Sequence, residues 1–591
     1  MLDPVLVGCE SCGRRAAPSG TTVDCVARVA VLGGGVGGLT AAHELVERGF
    51  EVVVLESRSI PGGKARSFPV PGSGVDGRAD LPAEHGFRFF PGFYRHLPDT
   101  MGRIPLDDGG TVLDHLTAAT RVMIARKDGR AELVSTAHHP SSVDELAIVS
   151  RFLLAWTRSV GIPAAEQGVL FERLLTLLTS CDERRYAQWE QQSWWTFVGA
   201  DRRSPAFRKF LADGLTRTLV AARAKEISAR TGGLILAQLL FDLTRVGGRA
   251  DRVLDAPTND AWIDPWVEHL RGLGVDVRLD CPVQGFLVEH GRIAGVTTPT
   301  GPVTADLYVA ALPVEIMRTL AGPLRRLDSD LEGLDRLVTR WMNGVLFYFD
   351  RDVPIVKGHT IYIDSEWALT SISQAQFWPD VDLGRYGDGT VKGILSVDVS
   401  DWDTPGRRTG KVASRCTREE IRDEVWGQLT DHLNDTGQAV LDEGHVRAWF
   451  LDPAIEFPNP TEAANLEPLL INTAGSWDDR PEATTSIPNL MLAADYVRTN
   501  TDLATMEGAN EAARRAVNAI LDVTGSSAPR CQIFSLTEPS VLRHARRLDR
   551  LRWSLFHRAA RPPLKVTQDG ELRARGILGR AAIALSSRGE G

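Results

Sequence analysis

The chain has 591 residues, 43% of them hydrophobic and 24% charged, with a net charge of −9. That length exceeds one compact core, so two or more domains are expected, and no run of eighteen apolar residues marks a transmembrane helix. The charge is uneven: residues 531–591 carry 12 Lys/Arg against 5 Asp/Glu, a local +7 that leaves residues 1–530 at −16, and so acidic a body argues against nucleic acid as the main partner.

Met1 to Thr22 lacks the basic and apolar regions of a secretory signal, and residues 1–27 read as a disordered leader. Cys9 and Cys12 form a C-x-x-C with no second pair to complete four zinc ligands, so no metal site is expected. Seven scattered cysteines point to a reduced, cytoplasmic protein without a disulfide framework.

Val29-Ala30-Val31-Leu32 reads as a buried parallel strand. The turn Gly33-Gly34-Gly35-Val36-Gly37-Gly38 matches G-x-G-x-x-G at Gly33, Gly35 and Gly38, and Leu39 to Arg48 reads as a helix ended by Gly49. Glu51 to Leu55 forms a second strand that stops at Glu56 and Ser57. Gly33 permits the tight turn, Gly35 lets backbone approach a pyrophosphate, and Gly38 lets helix pack on strand. The helix N-terminus offers unpaired N–H groups to that pyrophosphate, and Glu56 offers acceptors to a ribose. Gly37 and Ser57 join this candidate cofactor set.

Ile60-Pro61-Gly62-Gly63-Lys64-Ala65-Arg66-Ser67 follows. Taken alone, Gly62-Gly63 is an ordinary surface turn. Coming after the ribose acid, it resembles the flavin amine oxidase and carotenoid desaturase superfamily, in which a second Gly-Gly and a basic residue run along the flavin side of FAD. The resemblance implies cofactor contacts from Gly62, Gly63, Lys64, Ala65 and Arg66. Glu84 to Tyr94 matches the stretch that passes the flavin ring in desaturase-like relatives. His85 and Arg88 are thereby candidate catalytic or orienting groups, with a structural histidine in a crowded turn as the alternative.

Further along, Glu145 to Trp156 and Leu234 to Thr244 have helical patterns. Trp262 to Leu273 reads as a helix and Val275 to Leu279 as a strand. Cys281 to Val288 begins a strand of the kind whose backbone meets the adenine in the superfamily, which places Val283 among the cofactor residues. Ala305 to Pro313 returns the chain to the cofactor. Val345 to Phe349 and Thr360 to Ile363 read as strands, and Trp194, Trp195 and Trp341 suit core positions better than pocket walls.

Near the end, Pro488 to Asp495 reads as a strand ending in an acid, and Thr501 to Asn510 leads into a helix. This pair resembles the superfamily's closing flavin motif: Asp495 holds the ribityl or pyrophosphate portion, and Thr505, Met506, Glu507 and Ala509 lie at a helix N-terminus that stabilises negative charge on a reduced flavin. The resemblance implies an α/β fold of amine-oxidase/desaturase type. Its discontinuous, Rossmann-like FAD-binding domain takes residues 28–106, 256–319 and 481–525; an α+β substrate-binding domain takes 107–255 and 320–480; a basic tail takes 526–591.

Amine oxidases of the superfamily place an aromatic residue just before Met-Glu-Gly, where this chain has Thr505. That departure favours a small hydrophobic substrate (lipid, isoprenoid or polyene-like) losing hydride to form a C=C bond. Amine oxidation and flavin-assisted double-bond isomerisation are the alternatives, and a non-enzymatic prenyl-binding escort protein ranks below them. The sequence leaves the electron acceptor open. In the tail, Leu542, Ala545, Leu548, Leu551 and Leu555 fall on one helical face, which suits either peripheral contact with a membrane surface or docking on the acidic body.

Overall fold

The computed structural model describes residues 26–580 apart from 128, 135–139, 141, 215, 218–221, 242–250, 436, 438, 558–561, 563 and 578. The leader read over 1–27, with Cys9 and Cys12, lies almost wholly outside the described residues.

A five-stranded parallel sheet carries the nucleotide-binding unit. Its strands run in the order Leu490–Leu492, Leu307–Ala310, β1 (Arg28–Leu32), β2 (Glu51–Leu55) and Asp276–Arg278. Val29 to Leu32 and Val52 to Leu55 are buried throughout, as apolar strands covered on both faces must be. Helix α1 (Val36–Val46) leaves the β1 turn and packs against a long closing helix, Met506–Thr524. Asn510 on the closing helix donates to Thr40 of α1 at 3.0 Å, so the two ends of the chain lock together at this sheet. An antiparallel ribbon, Gly285–Glu289, Arg292–Thr298 and Gly301–Val303, adjoins it in sequence.

A second sheet has seven strands: Val446–Leu451, Asn343–Phe349, Gly393–Val399, Leu369–Ser373, Gly358–Tyr362, Arg121–Arg126 and Gly129–Val134. Residues 121–126 and 129–134 thus belong to this sheet, although most of the segment around them is helical; the unbroken apolar run Val122-Met123-Ile124-Ala125, buried on both faces, marks the strand. The helical lobe comprises Val143–Ser159, Val169–Thr179, Trp194–Val198 and Ala229–Phe241 around an apolar core of its own. Trp194 and Trp195 lie in that core, and Trp341 packs 5.3 Å from Trp402 beside the second sheet.

The tail helix Arg543–Phe556 docks on the helical lobe. Asp549, buried, pairs with Arg184 at 2.9 Å and accepts from the Cys181 amide at 2.9 Å. Leu542 and Ala545 are buried with it, whereas Leu551 and Leu555 are exposed, so the stripe expected to share one environment is divided between two. No helix among the described residues is long and apolar enough to cross a membrane.

Candidate active site

The parallel sheet and the seven-stranded sheet face a cleft of about 460 Å³. Sixteen of the residues singled out by sequence line it: Gly33, Gly35, Gly37, Glu56, Ser57, Gly62, Gly63, Lys64, Ala65, His85, Arg88, Val283, Asp495, Thr505, Met506 and Ala509. They come from separated segments. Those after Leu32, Leu55, Arg278 and Leu492 meet because the strands of the parallel sheet end on the same side, and the 85–88 loop, which follows the strand Pro82–Glu84 outside that sheet, joins them.

The glycine turn is shaped by close approach. Gly33 has φ +106°, and a Cβ there would meet the Ala311 carbonyl oxygen at 2.7 Å. A Cβ on Gly37 would lie 2.1 Å from the Ala493 oxygen, and one on Gly38 would lie 1.8 Å from the Gly33 oxygen. Gly38 therefore acts within the fold and does not line the cleft, while Gly37 does both. Gly35 and Gly62 form a backbone bridge that joins the two glycine loops, and Gly62 and Gly63 both take positive φ.

Glu56 sits at the end of β2. Its Oε2 accepts from the Gly34 amide at 2.7 Å and its Oε1 from the Arg58 amide at 2.9 Å and the Ser57 hydroxyl at 3.1 Å. The acid thus holds the glycine turn as well as facing the cleft. Lys64 pairs with Glu315 at 2.8 Å. Arg66 differs from the sequence expectation: it is buried outside the cleft, its guanidinium forked onto Glu467 with two 3.0 Å hydrogen bonds. A planar guanidinium finds its best partner in a carboxylate, and Glu467 lies within reach.

The closing helix is capped by Thr505, whose hydroxyl accepts from the Gly508 amide at 3.1 Å and donates to the Leu503 oxygen at 3.2 Å. Met506 lines the cleft beside it. The Glu507 side chain turns away, accepting from the amides of Arg95, His96 and Leu97 at 2.7, 2.7 and 2.9 Å and pairing with His96 Nδ1 at 2.8 Å. Burial works to raise its pKa, yet His96 and these amides hold it below the usual carboxylate range. Its part is to fasten the closing helix to residues 95–97, leaving only its backbone near the helix N-terminus.

His85 contacts the buried Asp452 carboxylate at 2.6 Å. Arg88 donates to the carbonyls of Gly86 and Lys64, at 3.0 Å and 3.2 Å. Asp398 belongs to no sequence motif, and Asp502 lies inside the Thr501 to Asn510 motif without a role that the motif implies. Asp398, in the wholly buried strand Gly393–Val399, lines the cleft, and burial pushes its carboxyl up to about 7. Asp502, just before the closing helix, takes φ +47° and ties Arg230 of the helical lobe, at 2.6 Å, and Arg480 to the turn. A single acid inside the apolar run Gly393 to Val399 was the only sequence signal for the first.

The cradle fits a flavin dinucleotide. Glycines stand wherever a side chain would fill the loop, the first amides of α1 point out of the helix without intrahelical partners, and a second, capped helix N-terminus closes the opposite end. A model of flavin-containing amine oxidoreductases matches residues 36–521.

The chain belongs to the flavin-containing amine oxidoreductase family. It is an FAD-dependent oxidoreductase, and the expected α/β, Rossmann-like architecture stands. The oxidoreductase is 22% identical over 510 residues to a 15-cis-phytoene desaturase of Synechococcus elongatus, covering 84% of this chain and 96% of that one. It is 26% identical over 522 residues to a flavin-dependent L-tryptophan oxidase of Lentzea aerocolonigenes, covering 83% and 98%. Among solved structures it resembles a putrescine oxidase bound to putrescine, with TM-score 0.55, 13% identity, and coverage of 84% and 99%; at that identity the likeness concerns the fold.

Proposed function

We propose that this oxidoreductase desaturates a hydrophobic, isoprenoid-type substrate, removing hydride from one carbon and a proton from its neighbour. The observation that carries this reading is the cleft wall. Phe87, Ile316, Met342, Leu466 and Leu469 line it, and Ile316 and Leu466 remain 44% and 52% exposed. Apolar side chains left in water at the rim of a cofactor cleft suit an apolar ligand that covers them. Thr505 agrees with this: its hydroxyl is spent on the helix cap and supplies no aromatic wall for an amine. The likeness to phytoene desaturases supports the same reading.

In this assignment Gly33, Gly35, Gly37 and the α1 N-terminus take the pyrophosphate, Glu56 and Ser57 the adenosine ribose, and Val283 the adenine side. Gly62 to Ala65 and Asp495 run along the ribityl and flavin portions, and the backbone at Thr505, Met506, Glu507 and Ala509 faces the pyrimidine edge. FAD, when bound, accepts the hydride. The chain's own work is to orient a C–H bond, exclude water and take up the proton. His85 and Arg88, on the loop that crosses the cleft, orient the substrate.

The test is anaerobic mixing of the FAD-loaded protein with linear polyenes and with L-amino acids. Bleaching of the flavin by the polyene and a product two hydrogens lighter are expected. Bleaching by tryptophan or other amino acids alone would instead support the amino-acid oxidase reading that the second relative suggests.

The tail gives this substrate class a route. Leu551, Leu555 and Phe556 are 58%, 64% and 65% exposed, and Arg547 and Arg552 are exposed beside them. An apolar edge flanked by arginines suits the surface of an anionic bilayer. Flotation with vesicles containing anionic lipid is expected to carry the protein up, and Leu555→Glu combined with Phe556→Glu to leave it at the bottom; equal flotation of both would remove this proposal.

A further inference from the structure

Desaturation leaves a proton to be placed, and the acids in the cleft wall and just behind it differ in how fully they are engaged. Glu84 is buried and its carboxylate is already occupied, accepting from the Thr258 hydroxyl at 2.6 Å, the Thr258 amide at 3.2 Å and the Gln374 amide at 3.0 Å. Asp452 is taken up by His85, by Asn343 at 2.6 Å and by the Ala454 amide at 3.0 Å. Glu467 is forked by Arg66, and Glu315 pairs with Lys64. Asp398 is different. It is buried, it lines the cleft, its Oδ1 has no hydrogen-bond partner among the described residues, and unlike Glu315, whose Oε2 is also unpartnered but whose Oε1 is held by Lys64, it is in no ion pair with a described cation.

The backbone around it makes room for that carboxyl. Asp398 lies opposite Gly344 in the sheet. The Gly344 amide donates to the His85 carbonyl at 2.9 Å, which draws the 84–88 loop over the strand. A Cβ on Gly86 would stand 2.7 Å from Asp398 Oδ1, so the absence of a side chain at that position is what lets the acid project where it does. The charged groups facing it are Arg88 on the same loop, Glu84 at the loop's start, and Asp452, just past the strand Val446–Leu451 and in contact with His85.

We propose that Asp398 is the proton acceptor of the reaction, a catalytic residue reaching the substrate from the face of the cleft formed by the seven-stranded sheet. This rests on the desaturase reading above. One C–H bond of the substrate is lost as hydride to the oxidised flavin. The Asp398 carboxylate takes the proton from the adjacent carbon, and the electron pair of that second C–H bond becomes the π bond. Asp398 then releases its proton to solvent before the next turnover. Burial, the largest influence, raises the carboxyl toward neutrality; Arg88 and the Phe87 amide pull it down; Glu84 and Asp452 push it up again. The balance, at about 7, leaves a base strong enough to accept a proton and still able to lose it near neutral pH.

The experiment follows flavin bleaching by the polyene that the wild-type holoprotein turns over, as a function of pH, in wild type, Asp398→Asn and Asp398→Glu. The wild-type rate is expected to rise with pH through one ionisation near 7. Asp398→Asn is expected to bind FAD with an unchanged spectrum yet bleach it about a hundredfold more slowly or less, without that ionisation; Asp398→Glu recovers part of the rate. Difference infrared spectra supply a readout independent of turnover: a protonated carboxyl band in wild type that fades as pH rises through 7 and is missing from Asp398→Asn. A wild-type rate flat across that range, or an Asp398→Asn variant as fast as wild type, overturns the proposal and leaves desaturation intact. A wild-type holoprotein inert toward every polyene removes the desaturase reading, and the proposal with it.

Discussion

Two glycines in the first turn of α1 separate cofactor binding from folding at the scale of single atoms. Gly38 has no place in the cleft, yet a methyl group there would lie 1.8 Å from the Gly33 carbonyl oxygen. Gly38→Ala is therefore expected to cost about 3 kcal/mol or more of stability, because neither backbone can retreat without opening the sheet; a thermal midpoint within a degree or two of wild type would show that α1 can shift. Gly37 stands against the Ala493 oxygen at 2.1 Å and also lines the cleft. Gly37→Ala pushes α1 away from the strand end that carries Asp495, so FAD content is expected to fall at least as much as stability does. Absorbance of the purified variant, before and after added FAD, measures the loss. Thr505 offers a milder contrast: Thr505→Ala removes the cap of the closing helix, worth about 1 kcal/mol, and is expected to lower the thermal midpoint slightly while retaining FAD.

Motifs bound by local sequence order are legible in the chain itself, and long-range side-chain partnerships are not. The β1–α1–β2 unit is specified by apolar runs and glycines within about thirty residues, so its strands and the Glu56 contact follow directly. Arg66 and Glu507 sit inside equally good motifs, but Glu467 and His96, about 400 residues away in sequence, decide where their side chains go. Asp398 is one acid in an apolar strand, and only the sheet register and the Gly86 loop reveal that it meets the cleft. The Asp502 element is the clearest case. It accepts from Arg230, Arg480, Thr231 and, at 3.4 Å, Asn472, and so fastens the helical lobe to the turn that sets up the closing helix. Glu190 completes the buried cluster on Arg230 at 3.1 Å. Asp502→Ala would leave two buried guanidinium groups short of their partner, and breaking such a cluster costs about 3–5 kcal/mol. The expected result is a large drop in thermal midpoint, accompanied by easier proteolysis near residue 500; a change under about 1 kcal/mol would mean that the lobe holds the turn by apolar packing alone.

Across the whole molecule, buried carboxyls divide into two sets with opposite effects on stability as pH changes. Asp364, held to about 2 by His432 and Lys209 despite burial, and Glu507, Asp452 and Glu467, each below its usual value through histidine, arginine or amide partners, are depressed in the folded state. A depressed carboxyl contributes its full stabilisation above its unfolded pKa of about 4 and loses it as pH falls through the folded value. Because these residues fasten the closing helix, the cleft loop and the second sheet, the protein is expected to unfold cooperatively between pH of about 4 and about 2, with the cofactor released in the same step. Asp398 works the other way. Its folded pKa lies above the unfolded one, so the native state holds a proton that the unfolded chain has already given up, and stability falls as pH rises from about 4 to about 7. Asp398→Asn cannot ionise. Its thermal midpoint relative to wild type is therefore expected to climb steadily across that interval and to level off above it. Calorimetry of the two proteins at matched pH values measures that difference, and a difference independent of pH would place the ionisation of Asp398 near that of an ordinary carboxyl, which removes the reason for this acid to act as a base at neutral pH.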